Sequence, residues 1–524
     1  MDIPMNLSLL LLILWGAFLL VVLLQYGGVI DSLRSTKGLG AKVALGAAAL
    51  GALGAMFYRT TIYMSPEREK WIVRGRDPGD TVSLGFDTKS RFRSLGQPLG
   101  RVLDRNGTAL ANYRYDGHLK RSYPAGAATA HLVGYWTGPL RDGVGIEKAL
   151  TLLNDSLRDD MPHDIRLTLD LRLQRDALRA LGGTIGAIVV MDASNGEVLA
   201  AANYPTFEPD SVWSNTGWRR YALDTIRRPL TSRAIKDNFS PGSSIKPFVA
   251  AAAYHTHAML PEANGFVCTG SYVPVAGTKP ITEHGSSHGR IGIDLAMRYS
   301  CNIYFSLLAY KTLGFEPTKN YFDGIGFDER LRWNTGFFLN EYSTLLPAVS
   351  WVKGRDEIAK SRLGIGQASV KTNPIHMATM VSGIANGGVF IRPTLEVGRP
   401  LDTLGWHMDA NTASALEGLL REPLLPGGTA AGAFGGMSAR GITIYGKTGT
   451  ADKEPDGREP SWFISYGRKN GRTYAVVVAV QDRNGQFAGT INAPMARRMF
   501  EALDGYGYFA ASAPAASTPV KKKK

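Results

Sequence analysis

The sequence is poor in cysteine and has fewer acidic than basic residues. Only Cys268 and Cys301 occur among its 524 residues, and two thiols indicate neither a disulfide scaffold nor a redox compartment. The 45 Asp and Glu residues against 59 Lys and Arg give a formal charge of +14. Because no nucleic-acid-binding motif accompanies this charge, we expect an anionic membrane surface or an acidic polymer as the partner, and no nucleic acid.

The N-terminal region lacks the basic residues of a secretory signal but contains two apolar runs. Residues 7–24 form an uncharged run of 18 residues, about the length that crosses a bilayer core. Residues 43–58 form a second run, and Lys42 and Arg59 at its ends can extend it. We therefore expect a transmembrane helical hairpin over residues 1–61; the alternative is a single anchor followed by a buried helix.

The loop between the apolar runs is basic, with Arg34, Lys37 and Lys42 against a single Asp31. By the positive-inside rule this loop lies in the cytoplasm. The large C-terminal part would then lie outside the plasma (inner) membrane, in the periplasm of a cell that has one. If the second run is not a span, the chain is instead a cytoplasmic enzyme with one membrane anchor.

Two regions of different character follow the apolar runs. Residues 62–165 contain short strand-like pieces and a hairpin signal at Asn106-Gly107, which predict a small β-rich module. The next segment has apolar residues near helical spacing, a possible cap at Asp170 and a stop at Gly182, which predict a helix. At the C-terminus, residues 509–524 predict a low-complexity basic tail.

Strand patterns occur at both ends of the region from 166 to 508. One predicted hairpin turns at Asn195-Gly196, and another turns at Asn470-Gly471 and precedes a closing helix. Helical patterns and loops fill about residues 230–425 between them. This order predicts an α+β domain whose single sheet is assembled from distant parts of the chain and flanked by helices.

The stretch "NFSPGSSIKPFVAAAAY" contains a candidate nucleophile. A helix can begin at Ser243 after the Pro-Gly turn, and residues three apart share a helix face, so Lys246 lies beside Ser243 and not beside Ser244. Burial would lower the pKa of this lysine and let its neutral amine take the hydroxyl proton. The S-x-x-K pattern alone is weak evidence, because Ser350 to Lys353 matches it as well.

Two further motifs follow in a fixed order. "YSCNIYF" carries Ser300 and Asn302 as S-x-N, and "GKTGTA" carries Lys447 to Thr450 as K-T-G-T. Together with S-x-x-K they resemble the signature of the serine penicillin-recognising enzymes. The second S-x-x-K match lies between the later motifs and lacks the Pro-Gly turn, so its position excludes it.

From about residue 95 to 482 the chain resembles the class B, monofunctional penicillin-binding proteins. Residues 62–165 are too few to hold the glycosyltransferase domain of the bifunctional enzymes. The resemblance implies a β-rich pedestal and a transpeptidase domain with an antiparallel five-stranded sheet, flanking helices and an all-helical subdomain. It also implies a cofactor-free peptidoglycan D,D-transpeptidase that β-lactams acylate.

The resemblance assigns roles to the first two motifs. Ser243 would attack the penultimate D-Ala carbonyl of a stem peptide and expel the terminal D-Ala, with Lys246 as the base. Ser300 would relay a proton to the leaving amine. The side-chain amide of Asn302 would hold both Lys246 and the substrate backbone.

The third motif would bind the substrate. Lys447 would add positive charge near the substrate carboxylate, and Thr450, beyond Thr448 in the motif, would hydrogen-bond that carboxylate. Gly449 would leave the strand bare so that a peptide can lie along it. The backbone N–H groups of Ser243 and Thr450 resemble the oxyanion hole of the family.

A weaker cluster flanks the second motif: Cys268, His284, His288 and Cys301 are all capable of binding zinc. Their spacing fits no standard zinc pattern, so we assign no metal. Free thiols and surface histidines are expected, and a disulfide or a metal site are the alternatives.

Two other functions remain open on the sequence alone. A D,D-carboxypeptidase or β-lactam-hydrolysing relative would pass the acyl group to water, and a β-lactam sensor or inactive scaffold would not turn over. The resemblance also implies a partner, a polytopic glycosyltransferase of the shape, elongation, division and sporulation family. It does not distinguish a role in cell shape from a role in cell division.

Overall fold

The computed structural model describes residues 99–115, 119–136, 144–150, 163–212, 214–327, 329, 331–336, 357–367, 370–454, 457–482 and 485–511. The predicted membrane hairpin and the second S-x-x-K match lie outside these residues. Within them, no helix is both long enough and apolar enough to cross a membrane. Phe509, the first residue of the predicted tail, is only 1% exposed and packs against Tyr474, so the folded domain extends past residue 508.

The β-strands of the described residues are, in chain order, β1 Val102–Leu103, β2 Ala109–Tyr115, β3 Leu119–Ser122, β4 Ile165–Arg166, β5 Gly186–Asp192, β6 Val198–Tyr204, β7 Val267–Cys268, β8 Ser271–Tyr272, β9 Ile281–Thr282, β10 Gly289–Arg290, β11 Val389–Ile391, β12 Thr403–His407, β13 Thr443–Thr450, β14 Ser461–Lys469 and β15 Arg472–Val480. The α-helices are α1 Ala130–Val133, α2 Leu171–Leu181, α3 Asn215–Ala222, α4 Lys246–His255, α5 Ile293–Arg298, α6 Asn302–Leu307, α7 Phe315–Gly324, α8 Glu357–Arg362, α9 Pro374–Ala385, α10 Ala410–Arg421 and α11 Ala488–Gly505.

Of the sheets that the described strands form, two have more than two strands. The N-terminal one has the order β3-β2-β1-β4, and the larger has the order β13-β14-β15-β5-β6 with every neighbour antiparallel. Pairing of β15 with β5 joins strands from opposite ends of the domain, as predicted. The five-stranded antiparallel sheet is therefore confirmed.

Helices cover both faces of the five-stranded sheet. Side chains alternate along β5, so that Ile188 and Val190 pack with α2 and α11, whereas Val189 packs on the other side in the core that includes α9. All residues of β5 but the last are buried. This two-sided burial explains why its sequence is a continuous apolar run.

Local signals fix several of the connections. Asp170 caps α2 by accepting a hydrogen bond from Arg172 N, and Gly182 ends the helix in the left-handed region at φ +55°. Asp104 Oδ1 accepts from Asn106 N and Thr108 N in the β1–β2 turn. The predicted helix and the predicted hairpins are confirmed.

The region between the two halves of the sheet consists mainly of helices and loops, as the sequence predicts, but it is not all helical. Helices α4 to α10 dominate it, but β7 pairs with β10, β8 with β9 and β11 with β12. Most of these strands are only two residues long. A period-two pattern needs about four residues to be recognised, which is why the sequence did not indicate them.

Candidate active site

The first motif lies on a 3₁₀ turn that leads into helix α4. The turn spans Gly242–Ile245, so the α-helix begins at Lys246 rather than at Ser243. Side chains three residues apart eclipse one another on a 3₁₀ helix, which keeps Ser243 and Lys246 on one side. Ser244 is buried and donates its hydroxyl proton to Pro241 O at 2.8 Å.

The ammonium of Lys246 is fully buried and is held by the second motif. Its Nζ donates to Ser300 O at 2.5 Å, to Ser300 Oγ at 3.2 Å and to Asn302 Oδ1 at 2.8 Å. These three bonds use all the donors of a protonated lysine. In the part of the chain that the structure describes, no hydrogen bond runs from this Nζ to Ser243, although both residues share a side of the turn.

A second buried lysine reaches the same serine. Lys447 Nζ donates to Ser300 Oγ at 2.8 Å and to Thr448 O at 3.0 Å. Burial lowers the pKa of Lys246 to about 8, although the nearby Glu283 carboxylate raises it. The pKa of Lys447 lies well below its ordinary value because of burial and of repulsion by Lys246.

Ser300 has an uncommon backbone conformation between helices α5 and α6. Its φ is +59°, in the left-handed region that residues other than glycine seldom adopt. In this conformation its carbonyl and its hydroxyl both accept from Lys246. Sequence patterns gave no sign of this strained position, which places one residue at the junction of two lysines.

Asn302 begins helix α6 and is fixed by a carboxylate that the sequence did not single out. Its amide Nδ2 donates to Thr282 O at 2.9 Å, and its backbone N–H donates to Glu283 Oε2 at 2.9 Å. The other oxygen of Glu283 accepts from Ile303 N at 2.8 Å. Glu283 therefore caps α6, while Thr282 O orients the side-chain amide that holds Lys246.

The third motif lies on β13, the edge strand of the five-stranded sheet. Alternation places Lys447 and Gly449 on one face, where Lys447 reaches Ser300. The opposite face carries Thr448 and Thr450, which line a cavity. Lys447 approaches Ser300 from the buried face of the strand, and Thr450 faces the cavity from the other. Lys447 and Thr450 can therefore serve one site although they lie on opposite faces of β13.

The absence of a side chain at Gly449 makes room for a neighbouring segment of the protein, and not only for a substrate. A Cβ at this position would lie 2.4 Å from Pro241 O and 2.9 Å from Ser244 N. The missing side chain thus lets β13 pack directly against the turn that precedes Ser243. This requirement is distinct from the bare strand that the sequence led us to expect.

A cavity of about 340 Å³ unites the motifs. Ser243, Ser300, Thr448 and Thr450 line it, while Lys246, Lys447 and Asn302 support it from behind through the bonds given above. The remaining walls include two histidines that the sequence indicated only as possible zinc ligands, His284 and His288. The others carried no sequence signal: Glu283, Tyr299, Thr429, Phe487, Ala488, Gly489 and Thr490.

Four possible metal ligands meet beside the second motif. Ligand atoms of Cys268, Glu283, His288 and Cys301 all lie within 4.8 Å of one another, and both cysteines are buried free thiols. Two thiols, an imidazole and a carboxylate are ligands that zinc accepts in a tetrahedral site. His284, which the sequence grouped with the cysteines, packs against Phe487 instead, and Glu283 takes its place.

The sheet, the helical insert and the convergence of three motifs on one cavity define a serine penicillin-recognising domain. Residues 186–501 match the family described as "Penicillin binding protein transpeptidase domain". This match covers more than half of the chain, and the chain belongs to that family.

Individual relatives agree with the family. Penicillin-binding protein 3 of Bacillus subtilis is 24% identical over 442 residues, which are 74% of this chain and 64% of that protein. The peptidoglycan D,D-transpeptidase PbpA of Mycobacterium tuberculosis is 27% identical over 374 residues, 66% of this chain and 73% of that protein. The chain thus spans just under two thirds of the B. subtilis relative.

Solved structures show the same fold. The crystal structure of PBPA from M. tuberculosis superposes with a TM-score of 0.65 at 23% identity and covers 78% of this chain and 99% of that one. A D,D-transpeptidase domain from Eggerthella lenta also has a TM-score of 0.65, at 24% identity.

Proposed function

We propose that the chain is a serine-type peptidoglycan D,D-transpeptidase that cross-links stem peptides through an acyl-enzyme on Ser243. The observation that carries this proposal is that Ser243, Ser300 and Thr450 line one cavity, with two buried lysines bonded to Ser300. The M. tuberculosis relative is named a peptidoglycan D,D-transpeptidase, and penicillin-binding protein A of M. tuberculosis has been solved as a penicillin G acyl-enzyme complex.

In the acylation step, Ser243 Oγ forms a bond to the penultimate D-Ala carbonyl carbon. Lys246 takes the hydroxyl proton once it has lost its own, because only the neutral amine has a lone pair. Its lowered pKa of about 8 makes that neutral form accessible near physiological pH. The N–H groups of Ser243 and Thr450 would stabilise the oxyanion of the tetrahedral intermediate.

The intermediate then collapses and the terminal peptide bond breaks. The leaving D-Ala nitrogen takes a proton from Ser300, whose hydroxyl is re-protonated by Lys246 with the proton that Lys246 took from Ser243. An amine of a second stem peptide then attacks the ester carbonyl and loses a proton to the same relay. The relay returns this proton to Ser243 Oγ as the ester C–O bond breaks. The proposed reaction needs no cofactor.

Substrate binding would use the free side of β13. As an edge strand it offers backbone groups to an extended peptide, in the manner of strand addition. Thr448 and Thr450 face the cavity and can hydrogen-bond the terminal carboxylate, while Lys447 adds positive charge from the buried face. β-Lactams would bind in the same place and acylate the same serine.

The cellular setting in this proposal follows from the sequence. The apolar runs of residues 7–24 and 43–58 would anchor the chain in the plasma membrane. Residues 62–165 would form a pedestal, outside the membrane, for the transpeptidase domain that begins at residue 166. The partner would be a polytopic glycosyltransferase of the shape, elongation, division and sporulation family, and co-purification from detergent extracts would test it.

Labelling with a fluorescent penicillin tests the proposed chemistry. The full chain should be labelled and Ser243→Ala should not, and labelling that persists in the variant would refute Ser243 as the nucleophile. Incubation with donor and acceptor peptides then separates the activities, because a transpeptidase yields a cross-linked dimer. Release of D-Ala without dimer would identify a D,D-carboxypeptidase instead.

A further inference from the structure

A buried carboxylate outside the three motifs lies close to the nucleophile turn. Glu454 is in the connection between β13 and β14, beyond Thr450, and is only 7% exposed. Its Oε1 accepts from the backbone N–H of Ser240 at 2.8 Å. Ser240 lies three residues before Ser243 in the sequence. This hydrogen bond therefore links the segment that precedes the nucleophile to the segment that follows the K-T-G-T motif.

A lysine strengthens the same link. Lys371 Nζ donates to Glu454 Oε1 at 2.5 Å and to Ser240 Oγ at 3.1 Å. The carbonyl of Ser240 accepts from Trp462 Nε1 at 2.8 Å. Every polar group of Ser240 is therefore engaged, which leaves the residue little freedom to move.

The second oxygen of Glu454 is held as well. Arg458 NH2 lies 3.0 Å from Glu454 Oε2, and Arg458 NH1 donates to Asp237 Oδ1 at 3.3 Å. Asp237 belongs to the segment that leads into Ser240. A carboxylate with both oxygens paired to cations can remain charged although it is buried, whereas loss of one partner leaves a costly unpaired charge.

The backbone contacts between these segments explain why such a link is needed. A Cβ on Gly242 would lie 2.5 Å from Thr450 O, and a Cβ on Gly449 would lie 2.4 Å from Pro241 O. The two glycines permit a close approach of the Ser243 turn to β13 but do not themselves attract the segments. Hydrogen bonds to Glu454 supply attraction between them.

We propose that Glu454 is a positioning residue for acylation, which with Lys371 holds the Ser240–Ser243 turn in register with Thr450. Neither residue lines the cavity, so both act through the placement of Ser243. This inference rests on the proposed function, since it concerns the rate at which Ser243 is acylated. A displacement on the order of 1 Å at a reacting atom can cost about a hundredfold in rate.

The test compares second-order acylation rate constants with a fluorescent penicillin in the full chain. Glu454→Ala should lower the constant at least about tenfold, whereas Glu454→Gln, which keeps an acceptor for Ser240 N–H, should remain within about threefold. The matched control is Glu147→Ala, because Glu147 is also buried and paired to Arg121 but lies outside the cavity. It should lower the melting temperature while acylation stays within about twofold.

Lys371→Ala keeps the inference testable if Glu454→Ala does not fold. Lys371 is partly exposed, with 28% of its side chain accessible, so this variant should fold and lose about three- to tenfold in acylation. A wild-type rate in folded Glu454→Ala or Lys371→Ala would overturn the positioning role alone. An equal loss in Glu147→Ala would do the same, and absence of acylation in the wild type would overturn the proposed function and this role together.

Discussion

The buried ammonium groups of Lys246 and Lys447 meet at the hydroxyl of Ser300. Ser300 Oγ accepts from Lys246 at 3.2 Å and from Lys447 at 2.8 Å. Both side chains are inaccessible to solvent in the folded protein. Each ammonium group therefore loses the hydration that stabilises its charge in the unfolded chain. The pair therefore releases a proton at lower pH than an exposed lysine would, which provides a neutral amine where the chemistry needs one.

The pH dependence of acylation should report this lysine. Burial lowers the pKa of Lys246 to about 8, and the neutral amine is the active form of the base. The acylation rate should therefore rise as pH increases through about 8 and then level off. Stopped-flow measurement of the acylation rate between about pH 6 and pH 10 gives this profile. A profile that stays flat through this range would contradict the assignment of Lys246 as the base.

Removing the hydroxyl of Ser300 should disconnect the two lysines. We expect Ser300→Ala to lower acylation by a factor of about 100, the lower end of the effect of a proton-transfer group. Ser300→Gly serves as the control, because glycine adopts the observed φ of +59° without strain. If the two variants lose the same factor, the hydroxyl is responsible; recovery in Ser300→Gly would assign the effect to the backbone instead.

Gly449→Ala should disturb the contact between β13 and the nucleophile turn. Its Cβ would meet Pro241 O at 2.4 Å, and backbone atoms cannot yield as a flexible side chain can. We expect a loss of about 1–3 kcal/mol in the free energy of unfolding, together with slower acylation. Gly405→Ala is the control, since nothing lies within 4 Å of its Cβ. Equal melting temperatures for the two variants would contradict the prediction.

His376 should make the domain sensitive to acid. Its ring is buried between Phe327 and Trp406, and burial lowers its pKa to about 3. The unfolded chain, with a histidine pKa of about 6.5, takes up the proton first. Stability from this residue is thus complete above about pH 6.5 and is lost as pH falls toward 3. The melting temperature of His376→Phe should fall less between about pH 8 and pH 5 than that of the wild type. An equal fall in both proteins would refute this prediction.

The cluster of Cys268, Glu283, His288 and Cys301 should bind zinc. Its ligand atoms lie within 4.8 Å of one another. Zinc would hold both thiols as thiolates, whereas burial and the Glu283 carboxylate raise the pKa of the free Cys301 thiol. We expect about one zinc per chain by elemental analysis, and loss of that zinc in Cys268→Ser. Thr269→Ser, at the next position in the chain, is the control and should retain the metal. A zinc-free wild type would contradict the prediction.

The fold elements that could be predicted from the sequence are those with local causes. Asp170 and Gly182 bracket α2 because an N-cap and a left-handed stop act within one turn. Asn195-Gly196 and Asn470-Gly471 mark hairpins because their backbone conformations suit tight turns. The two-residue strands from β7 to β10 were missed because such short segments cannot show an alternation of apolar and polar residues.

For the active site, sequence order indicated the motif residues but not what holds them. Spacing places Ser243 and Lys246 on one side of a turn, a relationship that depends only on helix geometry. Nothing local indicates that Lys246 bonds to Ser300 and Asn302. Nor does any local pattern show that Glu283 and other distant carboxylates fix the segments around them.

The sequence by itself determined the chemical groups, their order and the local turns that carry them. Only the tertiary structure decided that two lysines share Ser300, that Gly449 admits the nucleophile turn and that Glu454 links Ser240 to the K-T-G-T strand. The physical reason is range: caps and turns depend on neighbours along the chain. Burial, pKa shifts and ion pairs depend on groups that folding brings together from distant positions.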